Sequence, residues 1–200
     1  VCNGNMGEDN PFHADLMECA AFAKPAYLLN VIVDDDYQIV GAFAGDWREA
    51  HRAAAKVVEQ MDGVPIPRRT PLVIASAGGY PKDINLYQSS KTLTNAMSAT
   101  APGGTIILLS QCREGFGDAD CEAQICEYDT MDEREKALRA DFSIGGFIGF
   151  LFAEIAKNYN LILVTELDVQ RFGRTKIQVA RTLDEALELA ARCNGGSLAG

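Results

Sequence analysis

Asp83, Asn85, Tyr87, Gln88, Lys91 and Asn95 follow one another closely enough to share a surface. On a helix, residues 84, 87, 88, 91 and 95 fall on one face, because i, i+3 and i+4 positions are neighbours there. Tyr87, Gln88 and Lys91 on such a face offer a hydroxyl, an amide and an ammonium. Together they could hold a small anion by charge and hydrogen bonds. The plainer alternative is a solvated helix face with an ordinary surface lysine, and spacing alone favours it. The segment just before them, Ser76-Ala77-Gly78-Gly79-Tyr80-Pro81, follows an apolar run at 72–75. In open α/β sheets ligands bind beyond the carboxyl ends of strands, and glycines let the backbone approach closely. Asp83 is placed at the start of the helix that follows.

Two other loops merit comparison. Gln111-Cys112-Arg113-Glu114-Gly115-Phe116-Gly117 also follows an apolar run, and its plain reading is a Gly-rich turn. Gly145-Gly146-Phe147-Ile148-Gly149 has half the spacing of a dinucleotide fingerprint, but no strand precedes it and its face is apolar. A packing contact is expected there rather than a phosphate cradle. No complete G-x-G-x-x-G or P-loop occurs. The two histidines, His13 and His51, lack the spacing of a metal site. No nucleophile elbow or Ser/His/Asp set is present. The cysteines (Cys2, Cys19, Cys112, Cys121, Cys126 and Cys193) form no C-x-x-C pair. They read as reduced thiols of a cytoplasmic protein rather than zinc ligands or disulfides.

The elements that must position these residues can be read from periodicity. Asn10-Pro11 starts a helix over 10–23. Apolar strands at 27–33 and 38–44, joined by Asp34-Asp35-Asp36, predict a hairpin. Asp46 caps a helix over 47–61. Residues 63–71 hold three prolines and form a connector. Beyond it, short continuous apolar runs at 72–75, 106–109 and 161–164 suit strands buried on both faces of a mostly parallel sheet. Helical patterns separate them at 85–100, 132–140 and 146–158. A weak strand at 176–180 precedes a helix over 183–193, capped by Thr182 or Asp184. The alternation predicts a layered, Rossmann-like α/β domain preceded by a helix and a hairpin.

Composition narrows the function. The chain has 200 residues, 48% hydrophobic and 23% charged, with a net charge of −10. Such a chain supports a globular core. It is too acidic for nucleic acid, which needs clustered Lys and Arg, and an anionic membrane surface is disfavoured for the same reason. No apolar run is long enough to span a bilayer. The first residue is Val rather than Met, so a fragment or processed product is expected.

The stretch from Ser76 to Lys91, Ser-Ala-Gly-Gly-Tyr-Pro-Lys-Asp-Ile-Asn-Leu-Tyr-Gln-Ser-Ser-Lys, resembles the signature of the C-terminal domain of the lactate racemase family. Gly45-Asp46 with Ala50-His51, Pro102-Gly103-Gly104-Thr105-Ile106-Ile107 and Glu114-Gly115-Phe116-Gly117 are also similar. Gly4-Asn5 and Asn10-Pro11-Phe12-His13 resemble that family's interdomain linker. The resemblance covers nearly the whole chain. It implies a two-domain enzyme with its active site in the cleft between domains. Residues 1–66 would be the linker helix, hairpin and helix, and 67–200 the C-terminal α/β domain. The N-terminal catalytic domain would lie outside this chain.

The resemblance also implies a chemistry. A 2-hydroxy acid gives hydride to a nickel pincer nucleotide, and the ketoacid is reduced again on either face. Cofactor attachment, the nickel-ligand histidine and the catalytic histidines belong to the N-terminal domain, so this fragment alone is expected to be inactive. Gln88 and Lys91 match the family's Tyr-Gln-x-x-Lys pair. Lys91 would set positive charge beside the substrate carboxylate, Gln88 would hydrogen-bond the substrate, and Tyr87 would support the wall. Phe147 falls near the cofactor. His13 and His51 do not match the catalytic histidines. The expected partners are a small 2-hydroxy acid and the chain's own N-terminal domain. The competing readings are a stand-alone module binding a small acid or a partner, and a nicotinamide dehydrogenase domain, which lacks its phosphate fingerprint here.

Overall fold

A computed structural model describes residues 10–34 and 36–193. Asp35 of the expected turn, Gly4-Asn5, Cys2 and residues 194–200 lie outside the described residues. The chain divides into two compact units, Val1–Pro65 and Ile66–Gly200.

The first unit begins with helix α1, Pro11–Ala23. Asn10 caps it, its side chain accepting from the Phe12 N–H at 3.2 Å, and Pro11 occupies the first turn, where no N–H is needed. Strands β1, Leu28–Val33, and β2, Ile39–Gly45, pair antiparallel with Leu29 opposite Ala44 and Val31 opposite Ala42. The Asp34 carboxylate closes their turn by accepting from the Asp36 and Gln38 N–H groups. Helix α2, Trp47–Asp62, is capped by Asp46 and packs on both strands.

The second unit is a layered α/β domain. Its sheet has the order β3-β4-β5-β6 and is parallel throughout: β3 is Thr70–Ser76, β4 Thr100–Leu109, β5 Asn160–Val164 and β6 Gln178–Ala180. Ile106, Ile107, Leu108, Leu161, Ile162 and Leu163 are all buried. That is why β4 and β5 read as continuous apolar runs and not as alternation. One face of the sheet is covered by α3, Leu86–Ala99, and α6, Ile144–Asn158, with Leu86, Leu93, Ile106, Leu108, Phe152 and Leu161 in one cluster. The other carries α7, Leu183–Cys193, whose Ala186 and Ala190 pack on Ile107 and Ile162. Thr182 caps α7, accepting from the Glu185 N–H.

Two further helices lie between β4 and β5: α4, Ala119–Cys126, and α5, Met131–Ala140. Thr130 and Glu133 cap α5 reciprocally. Buried Arg134 ties the two together, donating to the carbonyls of Gln124 and Arg174. Helix α4 crosses α6 closely: a Cβ on Gly149 would lie 2.4 Å from the Cys121 carbonyl oxygen, and one on Gly145 would collide with the Asp118 carboxylate. The glycine run at 145–149 is therefore a helix contact.

Candidate functional site

The helix carrying Tyr87, Gln88 and Lys91 is held by its opposite face. Leu86, Ser89, Ser90, Leu93 and Ala96 are buried at i, i+3, i+4, i+7 and i+10, which turns Gln88, Lys91 and Asn95 outward. The helix starts later than Asp83. Asn85 is its cap and accepts from the Gln88 N–H at 2.9 Å, so Ile84 precedes the helix. Asp83 is used elsewhere: its carboxylate accepts from the Gln111 N–H and its carbonyl from the Cys112 N–H. That pins loop 77–85 to loop 110–117.

The same loop satisfies the first turn of α3. The Leu86 and Tyr87 N–H groups donate to the Gly115 and Phe116 carbonyls at 3.0 and 3.1 Å. With the Gln88 N–H on Asn85, the donors that a helix start usually offers to an anion are already engaged. Any anion on this face must be held by side chains. Gly117 makes the junction possible, since it sits at φ +80° and a Cβ there would lie 2.3 Å from the Asn85 side chain.

A depression of ≈ 420 Å³ opens here, lined by Asn85, Tyr87, Gln88, Gly117, Asp118, Ser143, Ile144 and Gly145. Lys91 stands at its rim through Gln88, its Nζ donating to Gln88 Oε1 at 2.9 Å. A lysine has only donors, so this bond fixes the amide oxygen toward Lys91 and leaves the Gln88 NH2 to face another acceptor. Lys91 itself is exposed and keeps its remaining N–H donors. Phe147 lies further along α6, 44% exposed, and does not line the depression. His13 and His51 stack on each other in the first unit, ring centroids 6.0 Å apart.

A larger depression of ≈ 540 Å³ lies beyond loop 114–118, lined by Glu114, Asp118, Glu122, Asp168, Arg171 and Phe116 among others. Its one arginine is paired with Glu122. Carboxylates dominate its wall, so it repels a carboxylate ligand, and charge favours the smaller site with Lys91 for an acid. The thiols of Cys112, Cys121 and Cys126 are poor nucleophiles. Burial pushes Cys121 up to about 12, with Asp118 adding to the shift, and burial also raises Cys112 and Cys126. Among the described residues no three His, Cys, Asp or Glu side chains could hold a metal ion together, and no helix is long and apolar enough to cross a membrane.

Asp118, Ser143 and Ile144 line the depression without having been singled out in the sequence, and Gly117 and Gly145 enter there only as parts of glycine-rich loops. Asp118 and Ser143 do carry a local signal, each being a short polar residue that caps a helix. Nothing in the sequence tells that both face Gln88.

Sheet, helix and groove define a layered α/β domain with a polar groove at the carboxyl edge of its strands, where ligands of open α/β sheets bind. A model of the lactate racemase C-terminal domain matches residues 67–198, and the chain belongs to that family. It is 32% identical over 186 residues to the lactate racemase of Lactiplantibacillus plantarum, covering 90% of this chain and 44% of that protein. To the lactate racemase of Thermoanaerobacterium thermosaccharolyticum it is 33% identical over 188 residues, covering 92% and 44%. The solved lactate racemase apoprotein from the latter organism superposes with a TM-score of 0.84 at 31% identity, over 93% of this chain and 46% of that one. A Thermotoga maritima protein at 15% identity, with a TM-score of 0.59, shares the fold alone. The chain thus spans less than half the length of the curated relatives it matches.

Proposed function

We propose that this chain is the C-terminal part of a 2-hydroxyacid racemase or epimerase, acting on lactate or a close analogue, and that its α3 groove closes one wall of the active-site cleft. The observation that carries the reading is Gln88 lining a depression, with Lys91 bonded to it, on a helix face matching the family signature. A 2-hydroxy acid brings a carboxylate and a hydroxyl. The Lys91 ammonium would meet the carboxylate and the Gln88 NH2 an oxygen of the substrate. Tyr87 would hold the wall, with Ser143 opposite.

The family's nickel pincer nucleotide supplies, when bound, a hydride acceptor and donor for C2 of the substrate. The residues lining this groove include no histidine or thiol. They do not fit nickel, and in this reading they orient the acid while the N-terminal domain holds the cofactor and moves the proton. Phe147 is proposed as a cofactor neighbour in the assembled enzyme. Residues 1–66 and 67–200 would then be the family's linker and C-terminal domain, in the cytoplasm with the rest of the enzyme.

The test is a chiral assay on the longer gene product containing these residues, co-expressed with the cofactor-making enzymes. It would be given L-lactate deuterated at C2. D-lactate that retains the deuterium supports the reading. No interconversion of any short 2-hydroxy acid would remove the racemase assignment, and loss of deuterium to solvent would replace hydride transfer with proton abstraction.

A further inference from the structure

Ile144 stands at the first position of α6, beside the Ser143 cap, and is 64% exposed. Packing does not account for it. The inward face of α6 is made by Gly145, Gly149, Phe152, Ile155 and Ala156, all buried. A β-branched side chain in the first turn adds nothing to helix formation either. What sets Ile144 apart is its place on the ≈ 420 Å³ depression. Asn85, Tyr87 and Gln88 line that depression from α3, and Ile144 lines it from α6. It is the one aliphatic side chain on the wall among the described residues.

The groups around it are acceptors and negative charge. Ser143 gives its one hydroxyl proton to the Asp120 carboxylate at 2.6 Å and accepts from the Gly146 N–H at 3.0 Å. Asp118 caps α4, its Oδ1 accepting from the Asp120 and Cys121 N–H groups, and its carboxylate lies against Gly145. Two carboxylates therefore take up the positive end of α6, which would otherwise draw an anion. An acid held by Lys91 and Gln88 meets repulsion there if it carries a second carboxylate, and apolar contact with Ile144 if it carries a hydrocarbon group. Size points the same way. The depression falls within the range of small-molecule sites, roughly 300–1,000 Å³, and has room for more than a three-carbon acid.

Resting on the racemase reading above, we infer that Ile144 is a specificity-determining residue of the groove: it receives an uncharged, branched aliphatic group on C2 of the substrate. The preferred acid is then a monocarboxylate of the size of 2-hydroxyisocaproate, ahead of lactate and far ahead of malate.

The experiment compares L-lactate, L-2-hydroxyisocaproate, L-malate and L-glycerate with the cofactor-loaded longer gene product. A chiral assay gives kcat and KM, and titration calorimetry gives binding. Wild-type kcat/KM for 2-hydroxyisocaproate should exceed that for lactate about tenfold or more, and that for malate about a hundredfold. Ile144→Ala should cut the preference for 2-hydroxyisocaproate over lactate about tenfold. The loss should fall on KM, because the hydrocarbon group is bound alike in ground and transition states. Ile144→Arg should raise malate relative to 2-hydroxyisocaproate about tenfold or more, by offering its second carboxylate a fork of donors. Lactate or malate turned over as well as 2-hydroxyisocaproate by the wild type overturns the inference. So does a preference for glycerate, which would make Asp118 the recognising group. An Ile144→Ala variant with a lower Tm and the wild-type preference would make Ile144 a packing residue, and overturns it too. No racemisation of any acid removes the racemase reading, and calorimetry then decides this one alone. Binding of 2-hydroxyisocaproate that weakens about tenfold in Ile144→Ala supports it, and no binding overturns it.

Discussion

Lys91 and Gln88 share one hydrogen bond but answer to different physics. Gln88 contributes a neutral donor, so Gln88→Ala in the intact enzyme should lower kcat/KM roughly two- to tenfold, the equivalent of about 0.5–1.5 kcal/mol. Gln88→Glu should do more damage, because it sets a carboxylate beside the acid and draws the ammonium to itself. Equal losses from the two variants would place Gln88 away from the substrate charge. The thiols give a second residue-scale expectation. Cys121, raised by burial to about 12 from 9.0, favours the folded state below pH 9; that contribution is lost as pH rises from there through about 12. At about pH 8, iodoacetamide should modify exposed Cys19 and Cys193 and spare Cys121 and Cys112. Modification of Cys121 at the rate of Cys19 would show that α4 opens readily. At this scale the sequence was informative where chemistry is local. Tyr87, Gln88 and Lys91 fall together because a helix repeats every 3.6 residues. The cap did not follow, since Asp83 and Asn85 are equally good candidates and only the tertiary bond from Asp83 to Gln111 separates them. Gly117, Asp118 and Ser143 reach the groove from other elements, which no local pattern reveals.

The elements with strong periodicity were readable. The runs at 106–109 and 161–164 are central strands because both faces are covered, and Asp46, Asn10 and Thr182 cap the helices that follow them. Helix α4 escaped notice for a physical reason. Its buried residues are Cys121, Gln124 and Ile125, so a glutamine interrupts the apolar stripe. That helix is fixed by contact with α6 at Gly149. Gly149→Ala gains about 1 kcal/mol of helix propensity but drives a methyl into the Cys121 backbone, an overpacking cost of about 1–3 kcal/mol. A Tm several degrees lower is expected in thermal unfolding. An unchanged or higher Tm would mean that α4 yields to the methyl without loss. The hairpin was also readable as strands.

At the scale of the molecule, an acidic chain with net charge −10 offers an anionic substrate little general attraction, so a cation placed at the site matters more. The two units match one part of relatives that are more than twice as long as the matched region, and the groove lies at the carboxyl edge of the parallel sheet. In the proposed enzyme, this part presents Lys91 to the substrate's charge. The direct measurement is kcat/KM for conversion of L- to D-lactate by the longer gene product, wild type against Lys91→Ala, with nickel content and circular dichroism recorded for both. A cation fixed beside the carboxylate and the charge that develops next to it is worth on the order of 2–4 kcal/mol in a dry site. Lys91→Ala is expected to lose about a hundredfold or more at unchanged nickel content and fold. Wild-type turnover by Lys91→Ala at normal nickel loading would contradict it and return the face from Tyr87 to Asn95 to a solvated helix surface.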